Sequence, residues 1–263
     1  MFGYRTIGFG GKASRGGCSG PGDRGLYGGG ETNRVIDYIT ISSTGNAIDF
    51  GDLLLWAQTG GVCNGGCQRG LFSGGQAAWP EKQNEMISYV TVDTLSDAVD
   101  TGDLTEAKRF MAGVSNGTED RGVYMGGYIE GGSPPERDTI EYVTISTAGD
   151  AIDFGDLLVG TRNPTGVSNA SDRGVTCNGR VAAVYQVDTL QYITISTTGN
   201  ATDFGDATTA SYMHSGCSND TGDRGIYGGG YNHDASGAQN FIDYITISTT
   251  GAGTDFGDLT SAR

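Results

Sequence analysis

The segment Thr139–Leu157 (TIEYVTISTAGDAIDFGDL) holds the pattern on which the fold prediction depends. Its first residues alternate in character, and the alternation places Ile140, Tyr142 and Thr144 on one face of a β-strand. A Thr-Ala-Gly-Asp turn follows, in which the glycine supplies a positive φ. The remaining residues, which include Asp-Phe-Gly-Asp, are read as the next strand. The segment is therefore predicted to form a β-hairpin.

This hairpin recurs along the whole chain. Its first strand carries Tyr-[Ile/Val]-Thr-[Ile/Val] at intervals of 50 to 53 residues. Its second strand carries Asp-Phe-Gly-Asp, or Asp-Thr-Gly-Asp in the second copy, and [Asp/Gln]-Arg-Gly precedes both. The motifs are marked by Tyr38, Tyr89, Tyr142, Tyr192 and Tyr244, by Asp49, Asp100, Asp153, Asp203 and Asp255, and by Arg24, Arg69, Arg121, Arg173 and Arg224. Because all three motifs keep step, the chain is predicted to contain five copies of one unit.

Each unit is read as four short strands. In the third unit, Arg109–Asn116 and Arg121–Met125 precede the hairpin. Five four-stranded meanders favour a β-propeller, because radial packing buries the sheet faces and leaves only short edges. The prediction is one all-β domain over residues 1–263, a five-bladed β-propeller with about 51 residues per blade. The predicted blades are residues 12–57, 58–107, 108–159, 160–209 and 210–260, with residues 1–11 as an extra closing strand.

The unit resembles the kelch repeat, in which an apolar strand ends in Gly-Gly and spaced aromatic residues follow in strands three and four. The diglycines are Gly28-Gly29, Gly74-Gly75, Gly126-Gly127 and Gly228-Gly229. The chain departs from that pattern in having phenylalanine rather than tryptophan in strand four, Asn178-Gly179 in place of the fourth diglycine, and Thr101 in place of one phenylalanine. The resemblance implies kelch-like four-stranded blades and no particular activity.

Composition and charge narrow the classes of partner. The formal charge is −15 and the isoelectric point is about 4.3, so binding to nucleic acid or to an anionic membrane surface is disfavoured. No apolar run approaches the length of about 18 residues that a membrane span needs. Met1–Gly11 lacks the basic and apolar regions of a secretory signal peptide. Nucleic acid and membranes are therefore not expected as partners.

Three of the five cysteines are interpreted as core residues. Cys18, Cys63 and Cys217 are placed at one repeated position, which Val114 and Val167 occupy in the other units. A position that accepts either cysteine or valine is typical of a small buried apolar site. The spacing of Cys63 and Cys67 gives no second pair for zinc, so no metal site and no cofactor are predicted. Calcium binding by the repeated aspartates stays open as an alternative.

The repeated charges are interpreted as structural. A glycosidase uses one unique pair of acids, whereas these aspartates recur in every unit, so no catalytic residue is predicted. Each unit has one arginine at the head of strand two and one aspartate in strand four. We expect salt bridges that form a repeated structural Arg–Asp ring. Its members are Arg24, Arg69, Arg121, Arg173 and Arg224, with Asp49, Asp100, Asp153, Asp203 and Asp255.

The candidate ligand-binding face is formed by the variable connections between strands two and three and between strands four and one. The turns at the other ends of the strands are monotonous, whereas these connections differ in length and collect aromatic residues. Aromatic side chains on loops at one face are enriched in binding surfaces. The candidate residues are Trp56, Trp79, Tyr128, Tyr212, His214, Tyr231 and His233.

The two ends of the chain read like copies of one strand. Thr254–Arg263 contains a full strand four, and Thr6–Arg15 reads like the same piece again. A propeller must join its last blade to its first, because an open edge leaves backbone groups unpaired. We expect both termini to lie in one blade, with Thr6–Gly10 against its outer edge or replacing part of it. The alternative is that Met1–Gly11 pairs with another subunit.

The run IDYITISTTG followed by TDFGDL, at residues 242–251 and 254–259, resembles repeat proteins encoded by tailed phages, marine ones especially. That resemblance implies a non-enzymatic virion component such as a tail fibre, an appendage or a decoration protein, located on the extracellular particle. Its partners would be other virion proteins or host surface glycans and receptors, and a homo-oligomer is compatible with that role. A lectin-like carbohydrate-binding propeller is the alternative, and a propeller enzyme is the third hypothesis.

Overall fold

The computed structural model describes residues 7–9, 24–29, 33–55, 60–64, 69–76, 83–117, 120–147, 149–169, 172–219 and 223–263. These ranges contain β-strands and turns and no α-helix. Twenty of the strands form five antiparallel sheets of four, and two more form a short ribbon. The sheets are arranged as a five-bladed β-propeller, so the predicted fold class is confirmed.

In each sheet the four main strands follow chain order, so every sheet is a simple meander. The first sheet contains β1 (Ile7–Phe9), β2 (Arg24–Gly28), β3 (Val35–Thr40) and β4 (Ile48–Asp52). The second contains β5 (Gly60–Cys63), β6 (Arg69–Ser73), β7 (Met86–Thr91) and β8 (Val99–Asp103), and the third contains β9 (Ala112–Ser115), β10 (Arg121–Met125), β11 (Thr139–Thr144) and β12 (Ile152–Asp156). The fourth contains β13 (Thr165–Ser168), β14 (Arg173–Gly179), β15 (Val187–Thr194) and β16 (Thr202–Asp206). The fifth contains β17 (Ser215–Ser218), β18 (Arg224–Gly228), β21 (Phe241–Thr246) and β22 (Thr254–Asp258), and its two–three connection contains the ribbon of β19 (Tyr231–Asn232) and β20 (Gly237–Ala238).

The chain divides into two compact units. One contains Met1–Arg109, Gly117–Gly122 and Glu141–Ile152, and the other contains Phe110–Asn116, Val123–Ile140 and Asp153–Arg263. In the first unit β1 contacts β5, and in the second β13 contacts both β9 and β17. Strand one of a sheet therefore packs against strand one of the next, as the innermost strands of a propeller do.

The Asp-Phe-Gly-Asp motif forms a β-bulge. In the fourth sheet Leu190 pairs with Gly205 and Gln191 pairs with Asp203, so Phe204 is the extra residue. Phe204 is buried, and Gly205 has a φ of 139°. The same register shift occurs in the first, second and fifth sheets. Only glycine adopts this φ readily, which explains why the motif keeps a glycine in every copy.

In the second to fifth sheets, the turn between strands three and four joins each sheet to the preceding one. At the junction of the third and fourth sheets, the Gly199 N–H donates to the Phe154 carbonyl (2.8 Å) and the Ala201 N–H donates to the Asp156 carbonyl (2.8 Å). The Asn200 Oδ1 accepts the Asp156 N–H (3.0 Å). We call this contact, a three–four turn lying over strand four of the preceding sheet, a turn junction. The similar sequences of these turns therefore follow from the contact that they share.

The predicted Arg–Asp ring is replaced by stacking of arginine on tyrosine. Each motif arginine lies over the strand-three tyrosine of its own sheet, with guanidinium-to-ring distances between 4.1 and 4.8 Å. The Arg24 guanidinium also donates to the Val92 carbonyl (2.8 Å), and that of Arg173 donates to the Ser248 carbonyl (3.0 Å). The strand-four aspartates are all exposed, and Asp100 and Asp255 accept the N–H of the bulge glycine two residues on. The salt-bridge prediction is therefore wrong.

The prediction that cysteines fill a repeated core position is wrong for Cys217. Cys177 is buried in the core of the fourth sheet, where burial raises the pKa of its thiol. Cys217 is exposed, although Val114 and Val167 at its equivalent position are buried. Cys63 lies one residue beyond that position, which Val62 fills, because Val62 pairs with Leu71 as Val167 pairs with Val175. Cys18 and Cys67 lie outside the described residues.

The prediction about the chain ends is also wrong. β1 pairs with β2 and is the first strand of the first sheet, whereas the last strand, β22, belongs to the fifth sheet. The two terminal strands therefore lie in different blades. Ile7–Phe9 takes the place of a regular strand one and is not an extra strand on an outer edge.

Candidate ligand-binding site

Five connections at the ends of strands opposite the turn junctions carry the candidate site. They are the two–three connections of the third, fourth and fifth sheets and the four–one connections that follow the third and fourth sheets, together with the ribbon of β19 and β20. All of them belong to one compact unit. These connections vary in sequence, whereas the opposite ends of the strands repeat.

Two arginines lie side by side at the centre of the site. The Arg162 N–H donates to the Arg180 carbonyl (3.0 Å), and the Arg180 N–H donates to the Arg162 carbonyl (2.8 Å). Residues paired directly in this way project their side chains to the same side, so the two guanidinium groups face a common region. Burial lowers the pKa of Arg162, and the charge of Arg180 lowers it further. The pair is therefore a local concentration of positive charge in an acidic protein.

Aromatic rings flank both arginines. The Arg162 guanidinium lies 4.3 Å from the ring centre of Tyr128, and its Nε is 3.5 Å from a carboxylate oxygen of Glu136. The Arg180 guanidinium lies 5.4 Å from Tyr185 and 5.8 Å from Tyr212. Within the described part of the chain, Arg180 forms no ion pair. One arginine thus has a carboxylate partner and the other has only ring faces.

The outer part of the site consists of two pairs of rings, in which Tyr212 is buried and the other three rings are exposed. Tyr185 and His233 are parallel, with ring centres 3.8 Å apart and an angle of 4° between the planes. Tyr212 and Tyr231 lie 5.6 Å apart and are joined by backbone hydrogen bonds. We call the whole set the arginine–aromatic cluster: Tyr128, Arg162, Arg180, Tyr185, Tyr212, Tyr231 and His233.

The connections around the cluster are held by side-chain amides. The buried Gln186 donates to the Asp234 carboxylate (2.9 Å) and accepts the His233 N–H (3.2 Å), which positions the histidine ring over Tyr185. The Asn178 amide donates to the Thr209 carbonyl and to the Ser211 hydroxyl, both at 3.0 Å. Tyr185 itself has a φ of 65°, an uncommon conformation for a bulky residue. The cluster is therefore a preformed surface.

The structure brings together four of the seven predicted ligand-binding residues, namely Tyr128, Tyr212, Tyr231 and His233. His214 is 1% exposed and packs 5.8 Å from the Tyr227 ring, so it is a core residue, and its prediction is corrected. Trp56 and Trp79 lie outside the described residues. Three members, Arg162, Arg180 and Tyr185, were not predicted from the sequence, because they lie in segments without a repeated counterpart. The loss of the diglycine at Asn178-Gly179 was the one signal that pointed to this connection.

No group of three or more His, Cys, Asp or Glu side chains among the described residues is arranged to hold a metal ion. No helix of the described chain has the length and apolarity needed to cross a membrane.

The fold is similar to that of the solved structure of YjhT. The TM-score is 0.68, the similarity covers 92% of this chain and 82% of that chain, and the sequences are 12% identical. At this identity the similarity shows the shared fold alone. No protein-family model matches the chain, and no curated protein matches its sequence.

Proposed function

We propose that this chain is a non-enzymatic binding propeller and that its arginine–aromatic cluster binds an acidic carbohydrate. The observation that supports this most is the adjacent pair Arg162 and Arg180, of which Arg180 has no carboxylate partner among the described residues. Two guanidinium groups held together repel each other, and an anion placed between them relieves that repulsion. A carboxylate suits the planar donors of arginine, which bind it in a bidentate manner.

The rings around the arginines favour a sugar over a simple anion. Tyr185, His233 and Tyr231 are exposed and offer flat apolar faces beside the charge. A sugar ring presents C–H groups to such faces while its substituents reach polar partners. Because the chain as a whole carries a formal charge of −15, a long polyanion would be repelled. A glycan with isolated acidic residues fits better.

We place this binding role on an extracellular virus particle, in a tail fibre, an appendage or a decoration protein. The support is the resemblance of the repeat to repeat proteins of tailed phages. In that setting the ligand would be a glycan on the host surface, and other virion proteins would contact the repetitive parts of the propeller. A purely structural virion role is the second candidate, and the repetition of one four-stranded unit in all five sheets favours it.

Titration calorimetry with a galacturonic acid trisaccharide and with maltotriose tests the proposal. We expect the acidic sugar to bind and the neutral one to bind at least tenfold more weakly. Arg180→Gln should weaken binding of the acidic sugar at least tenfold, because it removes the unpaired guanidinium. Arg224→Gln is the matched control, since it removes the same charge from the opposite strand end and should leave binding unchanged.

Two results would contradict the proposal. Equal binding by the wild type and Arg180→Gln would show that the cluster is not the site. Chemical conversion of the sugar, detected by mass spectrometry after incubation, would show that the chain is an enzyme.

A further inference from the structure

A lysine and a glutamate meet in the interior where the second sheet leads into the third. Lys108 lies in the connection between β8 and β9, and Glu141 lies in β11. Neither side chain has any exposed surface, and the Lys108 Nζ is 2.6 Å from the Glu141 Oε1. Both residues belong to the same compact unit. This buried pair is separate from the arginine–aromatic cluster.

The fold does not need a lysine or an acid at these two positions. The Lys108 carbonyl accepts a backbone hydrogen bond from the diglycine segment of the second sheet, and Thr161 and Ser211 occupy the same position in the third and fourth. At the position of Glu141, the fourth sheet has Gln191, whose uncharged amide holds the incoming connection. Removing an ammonium and a carboxylate from water is costly, so lysine is almost never fully buried unless it is paired. The pair therefore has a cost that the fourth sheet avoids.

The two side chains are in contact, but they are not aligned as a hydrogen bond. Among the described residues, neither the Lys108 Nζ nor the Glu141 Oε1 has a hydrogen-bond partner, although both atoms are buried. The other carboxyl oxygen, Oε2, accepts both the N–H and the hydroxyl of Thr105, each at 2.7 Å. Two donors on one oxygen polarise a carboxyl group and fix its position, as the donors of an oxyanion hole do. The nitrogen is thus held beside a carboxyl group that is activated for attack.

A second carboxylate lies within reach of the same lysine. The Glu106 Oε1 is 3.9 Å from the Lys108 Nζ, and 24% of the Glu106 side chain is exposed. A carboxylate that closes this gap, or that acts across it through one water molecule, can take a proton from nitrogen and deliver it to a leaving oxygen. The exposed part of Glu106 also gives a released water molecule a way out of the interior.

We propose that Lys108 and Glu141 condense into an amide, which cross-links the chain covalently. The Nζ attacks the carboxyl carbon of Glu141, the bond between that carbon and Oε1 breaks, and Oε1 leaves as water. Of the three protons of the ammonium group, one stays on the amide nitrogen, and Glu106 transfers the other two to Oε1. One ammonium and one carboxylate thus become one amide and one water, without an oxidant, a reductant or any further reactant.

The environment of the pair favours this product. The condensation replaces two buried charges by a neutral amide, which removes the cost of keeping both charges away from water. The new bond closes a loop over residues 108–141, which includes β9 and β10. A covalent loop limits the freedom of the unfolded chain, so the cross-link should stabilise the fold. The inference does not depend on the proposed ligand.

Mass spectrometry of the intact, denatured wild type tests the proposal. We expect a mass one water below the mass calculated from the sequence, before and after treatment with a reducing agent. Trypsin should then release residues 83–109 and 138–162 as one branched peptide that is not cleaved after Lys108. A wild type of full mass with two separate peptides would overturn the proposal and leave the pair as an ion pair. A loss of water that maps to any other peptide would overturn it as well.

Three substitutions test the roles of the individual groups. Lys108→Met removes the attacking nitrogen and should have the full mass of its own sequence. Glu106→Gln keeps both partners of the bond but removes the proton carrier, and it should also have full mass when freshly purified and folded by circular dichroism. Lys82→Met is the matched control, because it removes a lysine outside the pair and should still lose one water.

The variants also give results that would contradict the proposal. Loss of one water by Lys108→Met would overturn the cross-link. Loss of one water by Glu106→Gln, as complete as in the wild type, would overturn the role of Glu106. Full mass in Lys82→Met beside a lighter wild type would show that the bond uses Lys82 and would overturn the assignment to Lys108.

Discussion

The fourth and fifth sheets end in the same five residues. Thr202–Asp206 and Thr254–Asp258 both read TDFGD, both contain the bulge, and in both the phenylalanine meets its tyrosine edge to face at 6.1 Å. Yet Phe204 is buried and Phe256 is half exposed. Within the compact unit that contains both strands, the difference lies in the neighbour, because the turn of the fifth sheet covers β16, whereas no described turn of that unit covers β22. Identical sequence therefore gives identical local structure, and the next sheet decides the burial.

The largest expected effect is the difference in stability between alanine variants of Phe204 and Phe256. Phe204→Ala should lower the free energy of unfolding by about 3–5 kcal/mol, because it leaves a cavity beneath a turn that cannot collapse. Phe256→Ala should cost about 1 kcal/mol or less, because water already reaches that ring. Urea unfolding of both variants measures the difference. Equal losses would show that β22 is covered in solution.

A smaller contrast concerns the asparagines that end strand one. The Asn169 Oδ1 accepts the Arg173 N–H (3.2 Å), and its amide donates to the Asp223 carboxylate of the next sheet. Within the described residues, the side chain of Asn219 makes only the local bond, to the Arg224 N–H (2.8 Å). Asn169→Ala should cost about 2 kcal/mol, since a bond to a charged group is lost, and Asn219→Ala about 0.5–1 kcal/mol. Thermal unfolding of the matched pair tests this order, and a larger loss for Asn219→Ala would contradict it.

Repetition explains what could be predicted from the sequence. The period of the tyrosine and Asp-Phe-Gly-Asp motifs was enough for the number of sheets, the hairpins and the propeller, because each copy repeats the same local rules. The repeat does not show in the same way which residues pair across neighbouring strands. Arg173 pairs with Thr194, which puts Tyr192 diagonally beside it on one face, whereas Asp203 pairs with Gln191 on the other face. An arginine and an aspartate on opposite faces of a sheet cannot form a salt bridge.

The candidate site was harder to predict because it depends on residues that do not repeat. Aromatic residues in variable loops pointed to Tyr128, Tyr231 and His233, but the two arginines had no motif of their own. They meet through one isolated backbone bridge between two connections about 20 residues apart in sequence. Such contacts follow from how the sheets pack, and a period within one chain carries no information about them.

The last prediction compares the same position in strand three of the two sheets. In the fourth sheet Gln191 holds the connection from the third sheet by accepting the Leu158 N–H (2.6 Å). In the fifth sheet Asp243 holds the connection from the fourth by accepting the Thr208 N–H (3.1 Å) and hydroxyl. Both side chains are buried. An uncharged amide in the fourth sheet therefore accepts the same kind of backbone hydrogen bond as a carboxylate in the fifth.

Burial raises the pKa of Asp243, and the nearby charge of Asp255 raises it further. The folded state therefore binds a proton more readily than the unfolded state, whose aspartate pKa is about 3.9. The wild type should gain stability as the pH falls through the raised pKa toward that value, and at neutral pH the buried carboxylate should cost stability. Asp243→Asn should thus be more stable than the wild type at pH 7 by less than about 1 kcal/mol, and the advantage should shrink on acidification. Urea unfolding at a series of pH values measures both curves, with Gln191→Glu as the reverse substitution, which should introduce the same dependence. If the free energies of unfolding of the wild type and Asp243→Asn differed by the same amount at every pH, the carboxylate would not titrate in this window. The two sheets would then differ at this position in hydrogen bonding alone.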